Sequence, residues 1–146
     1  DIGPEVDLQS PALIPEDYLP DIHARLELYK RIANADNPDE LRELQIEMID
    51  RFGLLPDAVK NLFSMTELKQ KAALLGIKKI EVGEAGGRFV FSPQPKINAE
   101  QLIVLIQTQA QCYKFDGADK LRFIQKFETT ESKLEFVTEL LEKLRQ

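Results

Sequence analysis

The stretch Ile77–Ser92, IKKIEVGEAGGRFVFS, decides the fold class of this chain. Two short runs rich in β-branched and aromatic residues, 77–82 and 88–92, flank Gly86-Gly87, and this combination predicts a β-hairpin with a glycine-dependent turn. A phosphate-binding loop would need a glycine-rich segment leading into a helix with Gly-Lys-Ser or Gly-Lys-Thr, which the chain lacks. The two glycines are therefore interpreted as serving backbone geometry.

Helical patterns lie on both sides of this hairpin. Pro56 suits the start of a long helix that Gly76 ends, and Asn98 with Gln101 caps a second helix ending near Gln111. Apolar residues at helical spacing are predicted to face the core; they are Val59, Leu62, Phe63, Leu68, Ala72 and Leu75 in the first helix and Leu102, Ile103, Ile106 and Ala110 in the second.

A second hairpin candidate runs from Tyr113 to Phe127, with Asp116-Gly117 as its turn. Its polar side carries basic residues that alternate with phenylalanines; these are Lys120, Arg122 and Lys126, and Phe115, Phe123 and Phe127. Such interleaving can bind nucleic acid, but alternating phenylalanine at strand spacing is more typical of a core. We interpret these phenylalanines as core, and whether the basic hairpin has a partner of its own stays open.

Three more helices complete the pattern. A helix over about 20–35 has Ile22, Leu26, Tyr29 and Ala33 as its predicted apolar face, with Leu28 and Ile32 beside it. A second covers 38–52, and the turn between them is short enough to make them close neighbours. The last is capped by Thr129 or Thr130 and has its apolar face at Leu134, Val137, Leu141 and Leu144.

Strands that arrive as hairpins between helices predict an α+β fold, with about five helices packed with a small, mostly antiparallel sheet of short strands and hairpins. A length of 146 residues suits one domain over 1–146. Prolines make residues 1–19 an extended lead-in from a preceding domain, although Val6 and Leu8 alternate with polar neighbours as an edge strand would.

The helix in NPDELRELQIEMIDRFG, Asn37–Gly53, has two faces of opposite character. Leu41, Leu44, Met48 and Phe52 should face a core, whereas Glu40, Glu43, Glu47 and Asp50 form an acidic stripe. Like charges at these spacings cost roughly 0.2–0.5 kcal/mol per pair unless Arg42, Arg51 or another molecule compensates. The stripe is either a solvated helix face or a docking surface for a basic partner.

Charge and composition exclude several classes of function. The net charge is -6, with 14 acids and 6 bases in residues 1–60 and 11 acids and 13 bases in residues 61–146, so direct DNA binding is not expected. No apolar run reaches membrane-spanning length and the start lacks a secretion signal, which favours a cytoplasmic protein with no membrane contact.

No constellation of catalytic residues is present. His23 and Cys112 are single, paired acids such as Glu16-Asp17 point apart, and no metal-ligand spacing exists. We therefore expect no catalytic residue, no cofactor and no metal. An unrecognised enzyme built from scattered Asp, Glu and Lys remains an alternative that a turnover screen against pooled substrates would detect.

Three ordered segments carry a family resemblance; they are LIPEDYLP at Leu13–Pro20, RLELYKRIA at Arg25–Ala33 and IDRFGLLPD at Ile49–Asp57. Together they closely resemble the C-terminal domain of bacterial transcription-repair coupling factor. The resemblance is dense over about residues 11 to 60, and it continues more loosely through Leu75-Gly76-Ile77, Gly86-Gly87 and Leu121–Gln125 to near the end.

The resemblance implies that residues 1–146 are the C-terminal regulatory domain of a DNA-translocating ATPase that displaces stalled RNA polymerase and recruits nucleotide-excision repair. In that family this domain is autoinhibitory: it packs on an N-terminal module resembling excinuclease B and masks the surface that binds excinuclease A. Glu47 and Asp50 match the family's docking acids. Both are expected to be exposed in an isolated, monomeric domain. A free-standing protein-binding adaptor of the same fold is the alternative.

Overall fold

The computed structural model describes residues 3–146; Asp1 and Ile2, the start of the predicted lead-in, lie outside the described residues. The chain divides into two compact units, a helical unit (Ser10–Gln70) and a sheet unit (Asp1–Gln9 with Lys71–Gln146). The elements in chain order are β1 (Glu5–Asp7), α1 (Ile22–Ala33), α2 (Pro38–Phe52), α3 (Asp57–Leu75), β2 (Ile77–Gly83), β3 (Gly86–Phe91), α4 (Ala99–Thr108), β4 (Tyr113–Phe115), β5 (Lys120–Ile124) and α5 (Thr130–Leu144).

The predicted α+β fold is confirmed. The five strands form one mixed sheet in the order β1-β2-β3-β5-β4. Both predicted hairpins are present, since β2 pairs with β3 and β4 pairs with β5, in each case antiparallel. The strand β1 pairs in parallel with β2 at one edge of the sheet, which matches the edge-strand interpretation of Val6. Across residues 3–146, no helix combines the length and apolar character that a membrane crossing requires.

The glycines of the first hairpin have a different task from the one predicted. The turn itself is formed by Glu84 and Ala85, and Gly86 follows it with φ 139°. A Cβ atom on Gly86 would lie 2.2 Å from the carbonyl oxygen of Phe123, and one on Gly87 would lie 2.1 Å from that of Glu81. Glycine is required at both positions because neighbouring strands approach too closely for a side chain.

Aromatic side chains dominate the core of the sheet unit. The Phe123 ring lies 5.7 Å from that of Phe89 and 4.8 Å from that of Phe136, measured between ring centroids. Phe123 and Phe127 are buried, which confirms their interpretation as core. The same interpretation was wrong for Phe115, which is 48% exposed, because β4 is the edge strand and nothing covers its outer end.

Two helices bury a face different from the predicted one. In α1, Leu28 and Ile32 are buried, whereas Ile22 and Leu26 are more than half exposed. In α4, the buried residues are Leu102, which was predicted to face the core, and Leu105, while Ile103 is exposed. The helix ends at Thr108 and not near Gln111, so Ala110 lies beyond it and is exposed. The pairs Ile22/Leu26 and Leu28/Ile32 have the same i, i+4 spacing, so periodicity alone does not decide which pair turns inward.

The helical unit has a core of its own. It consists of Ile14, Leu19, Leu28, Ile32, Leu41, Leu44, Met48, Leu55, Val59 and Phe63. Residues from α1 and α2 both belong to this cluster, as the short connection between them predicted. The packing fixes the orientation of α2 and therefore the direction in which its acidic stripe points.

Candidate functional site

Both ends of α2 are held by local interactions that the sequence predicted. The side chain of Asn37 accepts a hydrogen bond from the backbone N–H of Glu40 at 3.0 Å, and Pro38 occupies the first turn. At the other end Gly53 has φ 98° and its N–H donates to the Ile49 carbonyl at 3.0 Å. Because Gly53 adopts a left-handed conformation, the helix stops there.

The three segments that carry the family resemblance meet at this helix. The Tyr18 hydroxyl donates to the Gly53 carbonyl at 2.9 Å, and the Tyr18 ring lies edge-on to Phe52 at 6.1 Å. The backbone N–H of Ile14 donates to the Tyr29 hydroxyl at 2.7 Å, which joins the first segment to α1. These residues of the resemblance therefore support the end of α2.

The four residues of the predicted acidic stripe lie on one side of α2, away from the buried Leu41, Leu44 and Met48. Glu40, Glu43 and Asp50 are exposed. Glu47 is not: only 37% of its side chain is exposed, which corrects the expectation that Glu47 is as open as Asp50. The reason is a partner that lies on a different helix.

Arg31 of α1 holds Glu47 in a two-point ion pair. Its two terminal nitrogens donate to the carboxylate oxygens of Glu47 at 2.6 and 2.8 Å. Arg51, one turn along α2, adds a third hydrogen bond at 3.1 Å. A carboxylate has about four lone-pair positions, so Glu47 keeps about one for an outside donor.

These contacts shift the pKa of Glu47. The hydrogen bonds from Arg31 contribute most, Arg51 adds to them against the opposing effect of burial, and the pKa of Glu47 falls from 4.5 to about 2. The same contact raises the pKa of Arg31. Glu47 is therefore a fixed negative charge throughout the physiological pH range, already compensated from within the chain.

We expect Glu47→Gln to lower the thermal midpoint at neutral pH and to have less effect in acid. Folding lowers the Glu47 pKa, so the charged pair stabilises the fold above pH 4.5 and loses its contribution as the pH falls toward about 2. Thermal melts of both proteins across this range should therefore converge. The control Glu43→Gln should match the wild type at every pH. If Glu47→Gln lowers the thermal midpoint by the same amount at every pH, the charged pair of Glu47 with Arg31 does not stabilise the fold as assigned.

The remaining acids of the stripe differ in the hydrogen bonds and ion pairs that they make within the chain. The Glu40 carboxylate accepts from the backbone N–H of Asp36 at 2.6 Å, so it serves the start of the helix. Arg42, one of the two predicted compensating bases, pairs with Asp39 instead. Among the described residues, Glu43 and Asp50 have no ion pair or side-chain hydrogen bond.

A groove of about 430 Å³ runs beside the stripe. Its lining includes Arg31, Glu40, Glu43 and Glu47. The groove is thus lined by the three carboxylates of Glu40, Glu43 and Glu47 and by one guanidinium group, that of Arg31. This arrangement suits the positively charged side chains of a partner, which would find the open carboxylates of Glu43 and Asp50 and the remaining position on Glu47.

The side chains that commonly bind metals or act as nucleophiles lie apart from one another among the described residues. Between residues 3 and 146 no group of three or more His, Cys, Asp or Glu is placed to hold a metal ion. Cys112 is a free, partly buried thiol on the sheet unit, whereas His23 lies exposed at the start of α1 in the helical unit. The absence of catalytic residues and of a cofactor therefore stays an expectation from the sequence.

Arg31 is the residue that sequence reasoning missed. It lies 16 positions from Glu47, and the angle at which α1 crosses α2 decides whether they meet. The prediction that α1 and α2 are neighbours was a signal that a base on α1 could compensate the stripe. It did not select Arg31 over Lys30, which is exposed on the same last turn.

Comparisons with known proteins agree with the resemblance. A family model described as the TRCF domain matches residues 8–102. The chain is 42% identical over 142 residues to the transcription-repair-coupling factor of Escherichia coli K12, which covers 97% of the chain and 12% of that protein. The corresponding protein of Haemophilus influenzae is 45% identical over 137 residues, which covers 94% of the chain and 12% of the relative. The chain therefore spans about an eighth of the length of these relatives.

A solved structure of the same family is also similar to this chain. The crystal structure of a C-terminal domain of transcription-repair coupling factor superposes with a TM-score of 0.80 at 26% sequence identity. The superposition covers 97% of this chain and 91% of that chain.

Proposed function

Because the chain belongs to the transcription-repair coupling factor domain family, we propose that residues 1–146 are a non-catalytic regulatory domain of such a factor. The domain docks through the acidic stripe of α2 onto a basic surface of the parent protein's N-terminal, excinuclease-B-like module. Docking masks the surface that binds excinuclease A. The parent protein is an ATP-dependent DNA translocase that displaces stalled RNA polymerase and recruits excision repair.

One observation supports this assignment above the others. Asp50 and Glu43 face outward from a helix whose orientation is fixed by buried Leu41, Leu44 and Met48, and they have no ion-pair partner among residues 3–146. Within the described part of the chain, the only ion pairs of the four stripe carboxylates are those of Glu47 with Arg31 and Arg51. A partner that supplies arginine or lysine would relieve the remaining repulsion and gain charge-assisted hydrogen bonds.

Glu47 and Asp50 contribute in different ways. Glu47 joins α1 to α2 through Arg31, so it holds the docking surface in shape as well as contributing charge. Asp50 is free to accept a hydrogen bond from the partner with both oxygens. Glu43 and Glu40 line the adjoining groove and extend the negative potential that attracts the partner.

The domain acts in the cytoplasm, as a monomer when isolated, without membrane contact and without useful DNA affinity at its net charge of -6. The alternatives are a free-standing adaptor of the same fold and an unrecognised enzyme. An ATPase motor encoded upstream in the same reading frame would favour the regulatory domain over the free-standing adaptor. A turnover screen against pooled substrates would detect an enzyme.

The proposed docking is tested by titrating the isolated domain into the purified N-terminal module of the same parent protein and following the heat of binding. We expect binding in a one-to-one complex that weakens as salt is raised, because exposed charges dominate the encounter. The module alone should bind excinuclease A, and added domain should compete with it. Absence of binding at low salt, or binding without competition, would overturn the proposal.

A further inference from the structure

One row of the sheet carries charged side chains across all five strands. The register pairs Asp7 with Glu81, Glu81 with Arg88, Arg88 with Arg122 and Arg122 with Lys114. The row therefore begins with two acids on β1 and β2 and ends with three bases on β3, β5 and β4. These side chains lie on the face opposite the buried Phe89 and Phe123, because alternate residues of a strand point to opposite faces.

The basic end of this row is unfavourable for the isolated fold. Arg88 is neutralised by Glu81, whose Oε1 lies 2.7 Å from the Arg88 Nε. Arg122 and Lys114 have no ion pair or side-chain hydrogen bond within the described part of the chain, and both are exposed. Like charges directly opposite each other in a sheet are destabilising, and here Arg122 has one such neighbour on each side. An anion bound there would remove that cost.

A depression lies next to the row on the same face. The neighbouring row consists of Gly83, Gly86 and Ile124. Its two glycines contribute no side chains to the floor, although the Gln9 side chain lies over Gly83. The resulting trough has a volume of about 650 Å³ and is lined by Arg88, Arg122 and Ile124, among others. Ile124 is 46% exposed, so the trough offers an apolar contact beside two guanidinium groups.

We propose that this trough and the bases Arg88, Arg122 and Lys114 bind an acidic segment of a protein partner. Carboxylates pair with Arg122 and Lys114, and an apolar side chain of the segment packs on Ile124. A short acidic segment can lie on the basic end alone, whereas the continuous phosphate backbone of a nucleic acid would also meet Asp7, Glu81 and Glu84, which line the other end of the trough and would repel it. This surface belongs wholly to the sheet unit and is independent of the acidic stripe on α2.

The probe for this site is a labelled heptapeptide of glutamates with one central leucine, compared with the same peptide carrying glutamine in place of glutamate. Amide NMR of the full chain should show shifts in β3, β4 and β5 with the acidic peptide and none with the glutamine peptide. We expect Arg122→Gln with Lys114→Gln to weaken binding about fivefold or more, since each exposed ion pair contributes modestly. Lys143→Gln with Lys60→Gln is the matched control, because it removes the same charge from exposed positions on α5 and α3, and it should bind normally.

Stability provides the second measurement. The double variant removes two like-charge contacts, so its thermal midpoint should equal or exceed that of the wild type. A lower midpoint would show that these bases are structural and would overturn the proposal. It is equally overturned if the acidic peptide causes no shifts, if the shifts lie outside the three strands, or if duplex DNA binds more tightly than the peptide at the same ionic strength.

Discussion

Replacing Phe123 by alanine should lower the free energy of unfolding by about 3–5 kcal/mol, the usual cost of truncating a buried aromatic residue. The Phe123 side chain is 2% exposed and lies between the rings of Phe89 and Phe136. Two of its ring atoms also approach the position that a Cβ on Gly87 would take, at 2.9 and 3.0 Å. Chemical denaturation followed by circular dichroism would measure the loss.

Phe115→Ala is the matched control for this experiment. It removes the same ring from the same hairpin, but Phe115 is 48% exposed, so the expected loss is at most about 1 kcal/mol. Equal losses for the two variants would contradict the assignment of Phe123 to the core and of Phe115 to the sheet edge. They would also reopen the interpretation of this hairpin as a stacking surface for nucleic acid.

The second large effect concerns docking. Glu47→Ala combined with Asp50→Ala should weaken binding of the domain to the N-terminal module by about 30-fold or more, because truncating one member of a desolvated ion pair leaves the other charge unpaired. Glu16→Ala with Asp17→Ala removes the same charge from exposed positions outside the stripe and should leave the affinity nearly unchanged. If both double variants lose affinity equally, net charge and not the stripe drives binding.

The two single variants separate docking from folding. Asp50→Ala should melt like the wild type, because Asp50 is exposed and has no ion-pair partner among the described residues. Glu47→Ala should melt earlier, since it leaves Arg31 without its two-point partner. Loss of affinity in Asp50→Ala at an unchanged thermal midpoint would therefore assign the docking role to the stripe itself. Normal affinity in that variant would assign any effect of the double change to Glu47.

Local signals were sufficient to predict most elements of this fold. The Asn37 cap, the Gly53 stop and the Thr129 cap depend on residues within four positions of each other, and all three are present. Thr129 was one of two alternatives with Thr130, and the capping box that it forms with Ser132 was not predicted. Both hairpins were also predictable, because a short turn brings adjacent strands together. The acidic stripe on α2 followed from helical periodicity and the buried face opposite it.

Features that depend on distant parts of the chain were not predictable in the same way. The ion pair of Arg31 with Glu47 depends on a helix crossing angle, which spacing does not encode. The pairing of Glu5 with Lys79 joins β1 to β2 across the whole sequence of the helical unit, and the charged row appears only once the strand order is known. Contacts with a partner depend also on the surface of that partner, which this sequence does not encode, so docking is a proposal.

Binding of excinuclease A to the full-length parent protein tests the proposed autoinhibitory docking most directly. The wild-type protein should bind weakly, and Glu47→Ala with Asp50→Ala should raise the affinity toward that of the isolated N-terminal module, while Glu16→Ala with Asp17→Ala should not. A cooperative thermal melt of the isolated double variant serves as a check that this domain is still folded at the temperature of the binding experiment. If the stripe variant is folded and binds excinuclease A no better than the wild type, Glu47 and Asp50 do not hold this domain on the N-terminal module.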